Sequence, residues 1–261
     1  MLMVERFKKI RRIVEYQNSA SVVQLGAELK VSDATIRKDL KILEKQGHLR
    51  RTHGGAVIVD RGGTSREAKL REVMGKNINE KRKIARKAYE MIKDDEAIIL
   101  DVSSTAGMIC EHIKKNEKRK LTVVTNSAIA LMELIDCENV QLIMIGGQVQ
   151  SSVASCVGAF ATDMLRNIRV DKAFIGANGI DLQRDIITTP NLFEREVKRA
   201  MINAAGKTVI VADNTKFGRL YLGALCRLSE VDCIITDDGI SQDTLKLAKD
   251  SSVNIVVGDC E

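Results

Sequence analysis

The sequence predicts an α/β chain in two parts. A small helical domain closed by a β-hairpin occupies residues 1–60, a linker covers 61–78, and a larger α/β domain fills 79–261. Three observations predict this. The first sixty residues show helical spacing punctuated by turn residues and close on a Gly-Gly pair. A glycine-rich polar stretch follows, Asp60 to Arg66 (DRGGTSR), which reads as a hinge. Beyond about Asn79, short continuous apolar runs alternate with helical stretches, the pattern of parallel strands buried on both faces.

Composition excludes several classes. The chain has 261 residues, 44% hydrophobic and 29% charged, enough to bury a core and stay soluble. One proline rules out proline-rich disorder. With no tryptophan and 3% aromatics, stacking on single-stranded nucleic acid is not the main device. No apolar run approaches the roughly 20 residues of a membrane helix. The opening MLMVERFKKIRRIVEYQ lacks the apolar stretch of a secretory signal, so a cytoplasmic protein without membrane contact is expected. The six cysteines (Cys110, Cys137, Cys156, Cys226, Cys233, Cys260) form no C-x-x-C pair, and His48, His53 and His112 show no ligand spacing. Reduced thiols, no metal and no cofactor are the expectation.

The charge is unevenly placed. Residues 1–60 carry 12 Lys+Arg against 7 Asp+Glu, whereas 61–261 carry 29 against 28. A basic small domain on a near-neutral large one suggests a polyanion-binding module. Within it, Phe7, Ile10, Ile13, Val14 and Gln17 recur at helical spacing. Ser21-Val22-Val23-Gln24 has the form of a capping box for a short second helix, with Val22, Leu25, Ala27 and Leu29 as its apolar contacts and a tight turn at Lys30-Val31. Ser32 is placed to cap a third helix, Asp33 to Gln46, with an apolar stripe of Ile36, Leu40 and Leu43. Its other face carries Thr35, Arg37, Lys38 and Lys41. His48 to Val59 reads as a hairpin whose Gly54-Gly55 turn supplies positive φ angles.

Two helices joined by a tight turn and followed by a hairpin make a winged helix-turn-helix. An α-helix fits the major groove of B-DNA and its leading side chains reach base edges, while flanking cations hold phosphates. Ser32, Ala34, Thr35, Arg37 and Lys38 on the third helix, and Arg50, Arg51 and His53 on the wing, are therefore the expected contacts to a double-stranded operator. The alternative is a helical bundle used for protein contact, and the coincidence of cations with groove-facing positions disfavours it.

In the large domain the helices are expected at Glu80–Lys93, Ala106–Lys115, Ala128–Ile135, Leu192–Ala205 and Gln242–Lys249. The strands are expected at Ala97–Leu100, Leu121–Val124, Val140–Ile145, Ala173–Ile175, Thr208–Ala212, Cys233–Ile235 and Asn254–Val257. Ligands in such sheets bind beyond the carboxyl ends of the strands. The strand-end residues are Asp101, Ser103, Ser104 and Thr105; then Thr125 and Asn126; Gly146 and Gly147; Gly176, Asn178 and Asp181; and Asp213 and Lys216. Hydroxyls and free amides at a helix start suit an anion. A pocket for a small phosphorylated, hydroxyl-rich molecule is expected there.

The stretch Val31-Ser32-Asp33-Ala34-Thr35-Ile36-Arg37-Lys38-Asp39-Leu40, with Leu43-Glu44 and Arg51-Thr52-His53-Gly54-Gly55-Ala56, resembles the DeoR family of bacterial transcriptional regulators. The likeness continues through Asp101, Ser104 and Thr105; Thr125-Asn126; Gly146-Gly147; Gly176, Gly179 and Ile180; Glu194 and Lys198; and Asp213, Thr215 and Lys216. The resemblance implies a C-terminal sensor domain similar in fold to sugar-phosphate isomerases, with Glu194 and Lys198 joining the effector site. It also implies a sugar-phosphate effector and, most often in the family, repression of a carbohydrate operon. Two positions depart from the family pattern: Ser103 stands where glycine is usual, and Arg195 where alanine is usual. An isomerase would need a carboxylate base at the substrate carbon and a cation for the phosphate. Asp101, Asp181, Asp213, Glu194, Lys198 and Lys216 could supply such groups. A fold shared with enzymes does not carry their chemistry, however, and the attached DNA-binding domain makes binding the output, so no enzyme is expected. One reading helix covers only a few base pairs, so a homodimer or tetramer formed through the α/β domain is expected.

Overall fold

The computed structural model describes residues 3–17, 19–45, 49–52, 54–58, 75–251 and 253–258. The chain divides into two compact units, Met1–Ala68 and Lys69–Glu261. The proposed hinge from Asp60 to Arg66, and His53 on the wing, lie outside the described residues.

The first unit holds α1 (Met3–Gln17), β1 (Ser19–Ser21), α2 (Val22–Leu29), α3 (Asp33–Lys45), β2 (Leu49–Arg51) and β3 (Gly55–Ile58). Its core is the predicted stripe: Ile10, Val14, Leu25, Ile36, Leu40 and Leu43 are all buried. Ser21 caps α2 by accepting from the Gln24 amide at 3.1 Å, and Lys30 ends it in the left-handed conformation at φ 55°. Ala27 is exposed and Gly26 takes the buried place instead, because a Cβ on Gly26 would sit 3.0 Å from the Val31 carbonyl.

The wing differs from expectation in two ways. It has three strands, in the order β1-β3-β2, because Ser19–Ser21 pairs antiparallel with β3. The Gly pair does not work through positive φ, which neither residue adopts. Gly55 lies within β3, and a Cβ there would fall 2.2 Å from the Ala20 carbonyl oxygen. Glycine is needed so that β1 can cross closely over the wing.

The second unit is built on seven parallel strands in the order β15-β14-β12-β9-β4-β5-β6. These are β4 (Glu96–Leu100), β5 (Leu121–Thr125), β6 (Val140–Met144), β9 (Val170–Gly176), β12 (Ala205–Val211), β14 (Cys233–Asp237) and β15 (Ile255–Gly258). Each overlaps an expected apolar run, with Ile145, Ala212 and Asn254 falling one residue outside their strands. Successive residues serve opposite cores, as a strand period of two requires. Ile99, Val124 and Ile210 pack on one side; Ile98, Leu100, Val123, Val209 and Val211 pack on the other. Helices cover both faces. The apolar stripes of α4 (Ile78–Glu90), α5 (Ser104–Lys115) and α6 (Ala128–Leu134) enter one core. Those of α7 (Ala159–Arg166), α8 (Leu192–Ala204) and α9 (Gln242–Asp250) enter the other.

Helix α7 and the small antiparallel strands went unforeseen. The strands are β7 (Gln148–Gln150), β8 (Ser155–Val157), β10 (Gly179–Asp181), β11 (Ile186–Thr189) and β13 (Gly223–Cys226). All are of three or four residues, too short for alternation to register, and α7 starts at Gly158 without a side-chain cap. Among the described residues no helix is long and apolar enough to cross a membrane. Burial pushes the Cys110 and Cys226 thiols up to about 12, which leaves them unreactive.

Candidate functional site

Chain order in the sheet reverses between β4 and β9. From β4 the chain moves outward through β5 and β6, then returns to β9 on the other side and continues through β12, β14 and β15. Such a reversal opens a crevice at the carboxyl ends of the two central strands, and a buried ion pair sits there. Lys198 from α8 donates to Asp101 Oδ2 at 2.6 Å and to the Gly176 carbonyl at 2.6 Å. Asp101 in turn accepts from the Gly176 amide at 2.9 Å and the Ser103 amide at 2.9 Å. One aspartate thus ties together the ends of β4 and β9 and the start of α5. Gly176 is required by the same approach, since a Cβ there would lie 2.2 Å from that of Ser103.

Above this pair lies a cavity of about 320 Å³, within the usual range for small-ligand sites. Its floor is the start of α5. Ser103 caps the helix by accepting from Ala106 at 3.1 Å, which leaves the amides of Ser104 and Thr105 without intrahelical acceptors and the helix dipole positive toward the cavity. Lys198 lines one wall with two of its three donors engaged. Lys76, Lys81 and Lys216 line another. Asp213, buried beneath them, accepts from Asn77 Nδ2 at 3.1 Å and pairs with Lys216 at 3.3 Å. Burial alone would raise the Asp213 carboxyl; the Thr215 hydroxyl and the Lys216 charge outweigh it and hold it low. Burial likewise lowers Lys81, against the pull of Asp213. The result is a polar recess with a cationic lining and one open helix start, suited to an anionic group on a small hydroxylated molecule. A wider depression of about 960 Å³ lies at the amino ends of β5 and β6, where Lys114, Lys118 and Lys120 alternate with Asp136 and Glu138. It has neither the chain reversal nor the helix start.

Glu194, one turn before Lys198 on α8, also lines the cavity and is bonded by Asn191 Nδ2 at 3.0 Å. Burial pushes its carboxyl up, against the pull of Lys198 and with the repulsion of Asp101. A carboxyl raised in the folded state adds stability in full below the ordinary glutamate value and loses it as pH climbs through the raised value. Replacing Glu194 with glutamine should flatten the fall in melting temperature over that window. An unchanged pH profile would show the residue ionises there as freely as in water.

The expected effector-site residues divide in two. Ser103, Ser104, Thr105, Gly176, Asn178, Glu194, Lys198, Asp213 and Lys216 share the one cavity. The others lie off it, because their side chains are bonded elsewhere in the fold or their loop opens to solvent. Asp101 lies beneath the lining as its tie. Thr125 and Asn126 follow β5, one strand further out. The Thr125 hydroxyl donates to Leu100 at 2.7 Å, and Asn126 Nδ2 donates to Cys156 at 3.0 Å. Gly146 and Gly147 follow the edge strand β6 and open the β7–β8 turn in solvent. Asp181 closes the β10–β11 turn, accepting from the Gln183 and Arg184 amides and the Arg184 guanidinium.

Sequence reasoning missed Lys76, Asn77, Lys81 and Val153 on the lining. A signal for Lys81 was present: it falls on the apolar stripe of Ile84, Ala85 and Ala88, so a lysine occupies a buried face. In the first unit, Ser32 caps α3 through the Thr35 amide at 3.3 Å. Ser32, Ala34, Arg37 and Lys38 are exposed, and neither Arg37 nor Lys38 forms an ion pair among the described residues. Arg51 is committed differently: its amide and guanidinium both bond Glu44 of α3, at 2.9 and 2.8 Å, which fastens the wing to the helix. Arg50 pairs through its backbone with Val57.

A winged helix with an open cationic reading helix, on one chain with an α/β unit holding a lysine-lined cavity, defines a ligand-responsive DNA-binding regulator. Residues 6–62 match the DeoR-like helix-turn-helix domain and residues 76–238 the DeoR C terminal sensor domain. The chain belongs to the DeoR family of transcriptional regulators, which are not enzymes. It is 33% identical to the putative aga operon transcriptional repressor of Escherichia coli O157:H7, over 97% of this chain and 93% of that protein. It is 31% identical to the lactose phosphotransferase system repressor of Lactococcus lactis subsp. lactis, over 92% of this chain and 93% of that one. Ribose 5-phosphate isomerase A of Methanocaldococcus jannaschii overlaps 54% of this chain and 55% of its own, at 20% identity and a TM-score of 0.41.

Proposed function

We propose that this chain represses a carbohydrate operon and that a phosphorylated sugar bound in the cavity sets its hold on DNA. The observation that carries the reading is the meeting of the α5 start with Lys198 and Lys216 around one small polar recess. The open amides and dipole suit a phosphate, and the Ser104, Thr105, Asn178 and Glu194 side chains suit hydroxyls. The relatives named as an aga operon repressor and a lactose phosphotransferase system repressor support the same reading. The protein then works in the cytoplasm, on double-stranded DNA, as a homodimer or tetramer. The ligand shifts the population of subunit arrangements that fit the operator, a coupling typically of about 1–3 kcal/mol.

Thermal shift against a panel of sugar phosphates, the matching free sugars and inorganic phosphate tests the effector site. A true effector at a hundredfold its Kd stabilises the folded state by about 2.7 kcal/mol. Its unphosphorylated sugar should give no shift, and equal shifts from both would remove the phosphate from the reading. On the DNA side, Arg37→Ala should weaken specific operator binding by about 1–3 kcal/mol, the range for a bidentate base contact. Undiminished affinity in a footprinting titration would take Arg37 out of the groove.

A further inference from the structure

An apolar patch stands beside the cavity mouth with no part in ligand binding. Leu192 and Phe193 in the first turn of α8, and Leu220, Tyr221 and Leu222 just before β13, are all exposed, and α8 packs against β13. Leu192 lies against Gly223, where a Cβ would come 3.2 Å from its Cδ2. Phe193 is 65% exposed and Leu222 82%. The segment cannot turn these side chains inward, because its backbone is pinned. Gly218 donates to Ile180 at 2.9 Å, Tyr221 donates to Thr188 Oγ1 at 3.1 Å, and the Arg219 carbonyl packs against Gly179 so closely that a Cβ there would lie 2.4 Å away.

The patch has the size and chemistry of half a subunit contact. At 150–250 Å² for a large buried side chain, the exposed portions of the five amount to roughly 500 Å². That is near the top of what a lone soluble domain displays and well over half of the ~800 Å² each partner gives to a standard interface. It holds two aromatics and three leucines, with Arg195 and Arg219 beside them, an apolar centre with a polar edge as in subunit interfaces. One face used twice about a two-fold axis closes on itself without leaving a sticky edge, and a two-fold pair is what two reading helices on one operator require.

We infer that Leu192, Phe193 and the Leu220–Leu222 segment form the surface through which two copies of this chain pair, and that helix α8 carries the effector's signal to it. The second clause rests on the effector site proposed above: Phe193 faces solvent while the adjacent Glu194, and Lys198 one turn on, line the cavity. A ligand that repositions α8 therefore moves the pairing surface with it.

Sedimentation of the full chain, without DNA or sugar phosphate, tests the surface. The wild type should run as a dimer or larger. Phe193→Glu with Leu222→Glu should drop it to a smaller species with unchanged circular dichroism. Phe160→Glu, at another residue 82% exposed, should keep the wild-type mass. Leu222→Ser, a milder change, should raise the dissociation constant of the pair at least tenfold. A monomeric wild type, a double variant of full mass, or dissociation by Phe160→Glu alone would each overturn the inference. Because no ligand enters the measurement, such a failure leaves the effector reading standing, whereas a failed sugar-phosphate panel leaves the surface standing.

Discussion

Replacing Lys198 with methionine should lower the stability of the sensor unit by about 3–5 kcal/mol, the cost of stranding one member of a buried ion pair. The reason is geometric. Asp101 is 1% exposed and Lys198 5%, so the carboxylate would be left buried without its counter-charge. Asp101 would keep its two backbone donors at Ser103 and Gly176, which is why the loss falls short of the full desolvation of a charge. Methionine fills similar volume, so a cavity term is small. Calorimetry of the full chain should show the larger transition moving down, and the effector response should vanish with it. A midpoint unmoved within about 0.5 kcal/mol would mean that the pair is worth no more than a surface one.

Replacing Arg6 with methionine should abolish the first unit's own transition while sparing the second. Arg6 clamps Asp39 with two bonds, from Nε to Oδ2 and from Nη2 to Oδ1, the latter at 3.1 Å. Asp39 is 2% exposed, in the middle of the reading helix. Breaking the clamp leaves the Asp39 carboxylate buried without its counter-charge, in a unit whose small core rarely supplies more than about 3–5 kcal/mol in total. DNA binding should disappear while the sugar-phosphate thermal shift persists. Adding Asp39→Leu to Arg6→Met should recover much of the transition, because an apolar pair can replace a buried ionic one at little cost. A single variant that melts as the wild type does would refute the clamp.

The legible and illegible parts of this chain differ for physical reasons. The five inner parallel strands could be read because each is buried on both faces over a continuous apolar run, and the half-buried edge strands β6 and β15 because they keep most of such a run. Helix α3 could be read because Ile36, Leu40 and Leu43 mark one face and Ser32 marks its start. Side-chain direction could not be read: Ser127 just past the end of β5 lines the cavity, while Thr125 and Asn126 before it are spent on Leu100 and Cys156, and Gly146 and Gly147 open to solvent. Lys81 was overlooked because its helix precedes the first strand, outside the strand-end rule. Gly55 was assigned to a turn because the crossing strand β1, only three residues long, leaves no alternation to see.

The place where chain order reverses has a consequence during synthesis. The reading helix and its wing are complete by residue 58, but the cavity also needs β12 and Lys216. A ribosome adding 5–20 residues per second takes on the order of 8–30 s to cover that stretch. For that interval a nascent copy presents a finished DNA-binding unit with no means of hearing the metabolite.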